Sequence, residues 1–176
     1  QDYDMTSWRH SCGVVLQDSH VFSESLARNI AVEDKHIDRT RLRIAARQAN
    51  LEEFIEKLPL KYQTMVGAEG VGLSRGQEQR IFIARALYKD PSFVFLDEAT
   101  NSLDANNERI ITGNLLDFCK GRTVLIVAHR LSTIRHADKI VVLHKGRIVE
   151  EGTHDELCAR HGYYYELINN QLIAMG

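Results

Sequence analysis

Apolar and polar positions along the 176-residue chain follow two rhythms. Short unbroken apolar runs at Gly13-Val14-Val15-Leu16, Phe93-Val94-Phe95-Leu96 and Thr123–Ala128 have the length and composition of buried strands. The first ends at Gln17 and the second at Asp97-Glu98. Phe93–Leu96 suits a central parallel strand covered on both faces. Helical spacing dominates Ser23–Leu58, where Leu42, Ala45, Ala46 and Ala49 share a face that Leu51, Phe54, Ile55 and Leu58 continue. Pro59 stops it. Four glycines between Gly67 and Gly76 mark a loop turning into a helix. Ser74 and Gln77 form a capping box at that turn, and the helix runs to about Tyr88. Asp90-Pro91 ends it, because the residue before proline avoids helical angles. Asn107–Cys119 is helical, with Ile111, Leu115 and Phe118 on one stripe. Lys139–His144 and Arg147–Glu150 flank Lys145-Gly146 as a hairpin. Thr153 and Glu156 make a second capping box, opening a C-terminal helix through Leu167. Gln1–Arg9 is polar and without period.

Strands alternating with helices predict an α/β domain with a parallel sheet. The helical block at 23–88 interrupts that alternation as an inserted subdomain. Bulk composition adds exclusions. A net charge of -2 is unsuited to sequence-independent nucleic-acid binding, which needs a cationic surplus to displace counterions. Arg39, Arg41, Arg43 and Arg47 cluster on a predicted helix, and read as a solvated helix face ahead of a binding patch. Cys12, Cys119 and Cys158 lack metal-ligand spacing and read as reduced, buried or incidental residues. The apolar runs are far too short to cross a bilayer.

Three placements carry chemistry. Acidic residues at the tip of a buried strand are costly unless they serve a purpose, and the C-terminal edge of a parallel sheet is where α/β folds place ligands. Asp97 there could hold Mg²⁺, and Glu98 could orient or deprotonate an attacking water. The plain alternative is a solvated acidic turn. The helix start at Ser74 offers free amides and a positive dipole end to an anion, with Gly76 permitting close backbone approach. The plain alternative is an ordinary capped helix. His129 and Gln17 each follow a strand. An imidazole there could bond a γ-phosphate, and an amide could bond a metal ion or a water.

In order and spacing these features resemble the ATP-binding cassette family. Gly13–Gln17 resembles its Q-loop and Leu73-Ser74-Arg75-Gly76-Gln77 its signature motif. Phe93–Asp97 is similar to Walker B with Glu98 as the catalytic carboxylate, Ser102-Leu103-Asp104 to the D-loop, and His129 to the switch histidine. Gly146–His154 is similar to the tail of exporter-type cassettes. Asp97–Glu108 resembles peptidase-containing bacteriocin exporters, and Gly67-Ala68-Glu69-Gly70 the exporter loop that faces transmembrane coupling helices. The resemblance implies a P-loop NTPase-like, RecA-like parallel core with an all-helical insertion. It divides the chain into a core remnant at 1–22, a helical subdomain at 23–88 and the remaining core at 89–176. It implies ATP and Mg²⁺ as cofactors. Glu98, His129 and Gln17 would be catalytic, Asp97 and Gln17 metal-binding, and Ser74, Arg75, Gly76, Gln77 and Asp104 nucleotide-binding. The implied partners are a transmembrane domain and a second nucleotide-binding domain, head to tail, on the cytoplasmic side of a bacterial membrane. No nucleic acid is implied.

Two departures bear on this. Arg75 stands where the family has glycine, and could either add charge beside a phosphate or obstruct the partner. No GxxxxGK[ST] run occurs in the chain, so the amides and lysine that cradle the β- and γ-phosphates are absent. The adenine-stacking aromatic of the family also lies upstream of the Q-loop. The expectation is the C-terminal part of an exporter ATPase domain, inactive alone. The alternatives are a non-catalytic docking module, using Gln17 and Glu69, and a soluble cassette protein of DNA repair or translation. The exporter-like tail and the acidic net charge speak against the last.

Overall fold

The computed structural model describes residues 4–16, 18–32, 34–100, 102–127 and 134–174. It divides into two compact units, Gln1–Val127 and Ala128–Gly176.

The first unit is built on a three-stranded parallel sheet. β1 (Cys12–Val15), β4 (Phe93–Asp97) and β5 (Thr123–Val127) lie in the order β1-β4-β5. Cys12 pairs with Phe93, and Phe93 with Thr123, so all three strands run to one edge. Helix α1 (Met5–Ser11) precedes them, where the sequence shows no period. Asp4 caps it by accepting from the Thr6 and Ser7 amides, and the Trp8 ring packs 4.8 Å from Phe93.

The expected single helical run at 23–58 is three helices: α2 (Leu26–Ile30), α3 (Arg39–Gln48) and α4 (Glu52–Glu56). Ser25 and Asp38 cap α2 and α3, giving each its own start. Residues Glu24–Ser25 (β2) and Met65–Val66 (β3) pair antiparallel and staple the block shut. Buried Asn29 secures the segment before it, accepting from the Phe22 amide and donating to the Phe22 carbonyl. Helix α5 (Arg75–Lys89) is the spine of the unit. Its Ile81 and Ile83 are fully buried, and it packs on α3, α2 and β1. It stops at Asp90, whose left-handed φ of 53° turns the chain out before Pro91. Helix α6 (Ala105–Cys119) buries Ile111 and Leu115.

One face of the sheet differs from expectation. Val15, Val94 and Leu96 are buried, but Val14, Leu16, Leu125 and Val127 are exposed. β5 is therefore not a buried strand within the described residues, and β4 is fully covered on one face only.

In the second unit, β6 (Ile140–His144) and β7 (Arg147–Gly152) form the expected hairpin. Lys145 and Gly146 both take positive φ, 47° and 73°, as a tight mirror-type turn requires. The expected single C-terminal helix is two, α7 (His154–Arg160) and α8 (Tyr163–Ala174). His161 breaks them at a left-handed φ of 51°. Ile140, Val142, Leu157, Tyr164 and Ile168 form this unit's core. Among the described residues no helix is long and apolar enough to cross a membrane.

Candidate functional site

The site is assembled where the start of α5 meets the C-terminal edge of the sheet. Ser74 caps α5 as the sequence predicts. Its Oγ accepts from the Gln77 amide at 3.3 Å, and the Gln77 Oε1 accepts from the Ser74 amide at 2.8 Å. The Ser74 hydroxyl proton is left to donate outward. The Ser74 and Arg75 side chains are exposed. Among the described residues Arg75 enters no ion pair, so its charge faces solvent beside the positive helix end.

Asp97 ends β4 opposite Val127, half-buried. Glu98 adds one more ladder bond, its amide donating to the Val127 carbonyl at 3.0 Å. Its φ is 50°, a left-handed conformation that a β-carbon disfavours. The chain therefore turns sharply at Glu98, straight off the sheet edge. The Gln79 Nε2 lies 3.5 Å from the Glu98 carbonyl oxygen. This contact joins the second turn of α5 to the acidic strand end.

The segment after Glu98 packs inward, with Ala99, Thr100 and Leu103 buried. Asp104 then caps α6, accepting from the Asn106 and Asn107 amides. A bond from the Asn107 side-chain amide, with those backbone amides, holds the Asp104 carboxyl below its usual range. Gly76 faces this segment. A β-carbon on it would stand 3.3 Å from the Ser102 carbonyl oxygen, so a bare Cα is what lets α5 and this turn touch. This close neighbour is a second reason for a glycine at 76, beside the room for a phosphate expected from the sequence.

A second bridge is absent from the sequence reading. The Arg80 Nη1 donates to the Asn50 carbonyl at 2.7 Å, and Asn50 Nδ2 donates to Asn107 Oδ1 at 2.7 Å. Arg80 also donates from Nε to the Gly76 carbonyl at 3.2 Å. Burial lowers the proton affinity of this guanidinium, and these carbonyls satisfy it. The helical block, α5 and the cap of α6 are thus tied by one polar network. Its sequence signals are slight: one of several charged residues in α5, and an asparagine at a helix end, where its φ is 53°.

Ser74, Arg75, Gly76 and Gln77 therefore share the start of α5, Asp97 and Glu98 the end of β4, and Asp104 the cap of α6, with the Gln79–Glu98 and Gly76–Ser102 contacts joining these segments. Gln17 and His129 lie outside the described residues. Among those described, no three His, Cys, Asp or Glu side chains gather as a metal cage. Magnesium is held by one or two carboxylates with waters and phosphate oxygens supplying the rest. The adjacent Asp97 and Glu98 at a half-buried strand end suit that donor set.

The family model described as ABC transporter matches residues 1–101. The toxin RTX-I translocation ATP-binding protein of Actinobacillus pleuropneumoniae is 49% identical over 160 residues, which is 90% of this chain and 23% of that protein. An ATP-dependent lipid A-core flippase of Saccharophagus degradans is 46% identical, over 97% of this chain and 29% of that protein. A solved bacterial Atm1-family ABC exporter with ATP bound matches with a TM-score of 0.89 and 40% identity. It covers 95% of this chain, which spans 30% of that one. The chain is thus less than a third of the length of these relatives.

Proposed function

This chain belongs to the ABC transporter family, and from that premise we propose that it is the signature-motif and acidic-strand part of an exporter's ATPase domain. The observation that carries the reading is the meeting of α5 with the end of β4, where the Gln79–Glu98 contact sets a capped helix beside two carboxylates. The relatives are named for ATP-dependent movement of toxins and lipid A-core, which supports an exporter. We extend the activity to peptide, protein or other export by the parent, at the cytoplasmic side of a bacterial membrane, with a transmembrane domain as partner. The likeness of residues 97–108 to bacteriocin exporters favours a peptide cargo.

In this reading Mg-ATP supplies an electrophilic γ-phosphoryl group and its charge-neutralising metal. Asp97 would hold the metal, which would neutralise charge on the phosphoryl oxygens. Glu98 would accept a hydrogen bond from the attacking water and take up its proton as the water oxygen bonds to the γ-phosphorus and the bond to the β–γ bridging oxygen breaks, releasing ADP. We add Gln17 and His129 to the catalytic set, Gln17 also as a metal ligand; in sequence they follow the apolar runs that form β1 and β5. The Ser74 hydroxyl and the Arg75 and Gly76 amides face outward, which suits a phosphate presented by a second nucleotide-binding domain. Arg75 adds a cation to that face, and Asp104 fixes the turn opposite it. We keep the division at 1–22, 23–88 and 89–176 as part of this proposal; β1 in the first part and β4 and β5 in the third support it.

No GxxxxGK[ST] run lies in these residues, so the chain offers its helix end to a nucleotide held elsewhere. Isothermal titration of the 176-residue chain should show no tight Mg-ATP binding. Micromolar affinity would overturn this assignment. In the parent transporter, Arg75→Gly should leave the ATPase rate within about threefold; a gain beyond about tenfold would mean that Arg75 obstructs the partner.

A further inference from the structure

The arginine cluster of α3 separates into two pairs. Arg41 turns inward, donating from Nη2 to the Tyr88 carbonyl, with its guanidinium 4.9 Å from that ring's centre. Arg47 is held by Glu52 through two bonds of 3.0 Å. Arg39 and Arg43, one turn apart, instead line an open cavity of about 620 Å³ shared by α2, α3 and the turn at 60–63. Lys35 and Arg28 line it as well. Among the described residues Lys35, Arg39 and Arg43 form no salt bridge within 4.0 Å, though the charge of Arg43 reaches Glu52 and helps to hold that carboxyl low.

The neighbouring carboxylates are engaged. Glu56 pairs with Lys61 at 2.6 Å, Glu52 holds Arg47, Asp34 accepts from the Tyr88 hydroxyl, and Asp38 caps α3. Arg28 is fixed, donating to the Asp34 carbonyl at 2.7 Å, yet keeps its charge. The floor is apolar and aromatic, from buried Leu42 and half-buried Ile37 and Tyr62. Like charges one helical turn apart repel and weaken a helix, so their side-by-side placement works against the fold it stands on. A volume of this size fits a small molecule. Guanidinium forks match phosphoryl oxygens in pairs.

We propose that this cavity binds a small anion carrying several phosphoryl groups, separately from the nucleotide edge at Ser74. Four cations over an apolar floor give it charge, directional donors and a wall for the anion's body.

Titration of the 176-residue chain with sodium tripolyphosphate, at low salt, tests this. Binding should weaken about tenfold in R39Q/R43Q and less in Lys35→Gln, and stay unchanged in Arg109→Gln, an exposed cation on α6. All four positions are exposed, and matching thermal melts would show the variants folded. Sedimentation with vesicles of equal parts phosphatidylglycerol and phosphatidylcholine gives the other source of phosphoryl groups. Loss of either binding in R39Q/R43Q supports the site and names its source. The proposal is overturned if neither probe binds, if R39Q/R43Q binds like the parent chain, or if Arg109→Gln loses as much. Tighter binding of polyglutamate than of tripolyphosphate would likewise overturn it, in favour of an acidic protein segment.

Discussion

Two helices in this chain begin with the same device. At α5 a serine and a glutamine exchange bonds across the first turn, and at α7 a threonine and a glutamate do so. Both satisfy amides that would otherwise lack partners, and both bury an apolar stripe. What differs is the company. α5 starts against Glu98 and the turn at Ser102, with a glycine admitting close contact. α7 starts against its own hairpin, and its first turn carries two carboxylates, Asp155 and Glu156, against Glu78 alone in α5, so it repels an anion more strongly. A capping box therefore marks where a helix begins; its neighbours decide whether that beginning can serve a ligand.

The largest test of this contrast is at the carboxylates. In the parent transporter, Glu98→Gln should lower the rate of phosphate release about 10²- to 10⁴-fold, while Glu156→Gln should leave it untouched. Comparable losses in both would erase the distinction. Next come the buried stripes. Ile81 and Leu157 are each fully buried, so Ile81→Ala and Leu157→Ala should each cost about 2–5 kcal/mol in urea unfolding. Gly76→Ala sharpens the difference further. In an exposed helix that change gains up to about 1 kcal/mol, but here the new methyl meets Ser102. We expect no gain in stability and about a tenfold loss of hydrolysis in the parent. Ser74→Ala and Thr153→Ala should cost similar amounts, about 1 kcal/mol each. Only the first should change the ATPase rate.

The smallest effect is on pH. Bonds from Asn107 hold the Asp104 carboxyl low, and the Thr153 amide does so for Glu156. Both folded values lie below their ordinary 3.8 and 4.5. The stability they lend is present above those values and is lost as pH falls through the folded ones. Urea midpoints should therefore drop on acidification, and the drop should shrink in Asp104→Asn combined with Glu156→Gln. An unchanged acid slope would show that neither carboxylate contributes.

Much of this was readable from residue order. Both capping boxes, the strand at Phe93, the stop at Asp90 and the Lys145-Gly146 turn are local devices, and local chemistry is written along the chain. Two-residue pairing of β2 with β3 is not, because it joins positions about forty apart in sequence with no periodic signal. The break at His161 was missed because nothing there but Gly162 interrupts the helical pattern. The exposure of β5 was missed because an apolar run says what a strand avoids, not what covers it. The Arg80–Asn50–Asn107 bridge links three segments and needs coordinates to be seen at all. At the site, residue types and their edge were legible; the use of Gly76 and the join through Gln79 were not.

The left-handed backbone of Glu98 carries one further meaning. A residue with a side chain pays about 1 kcal/mol or more to sit at such angles, and glycine does not. Glu98→Gly should then raise the melting temperature even as it removes the carboxylate. With Glu98 in the role proposed for it, the more stable version of this turn is the less active one, a trade of robustness for chemistry.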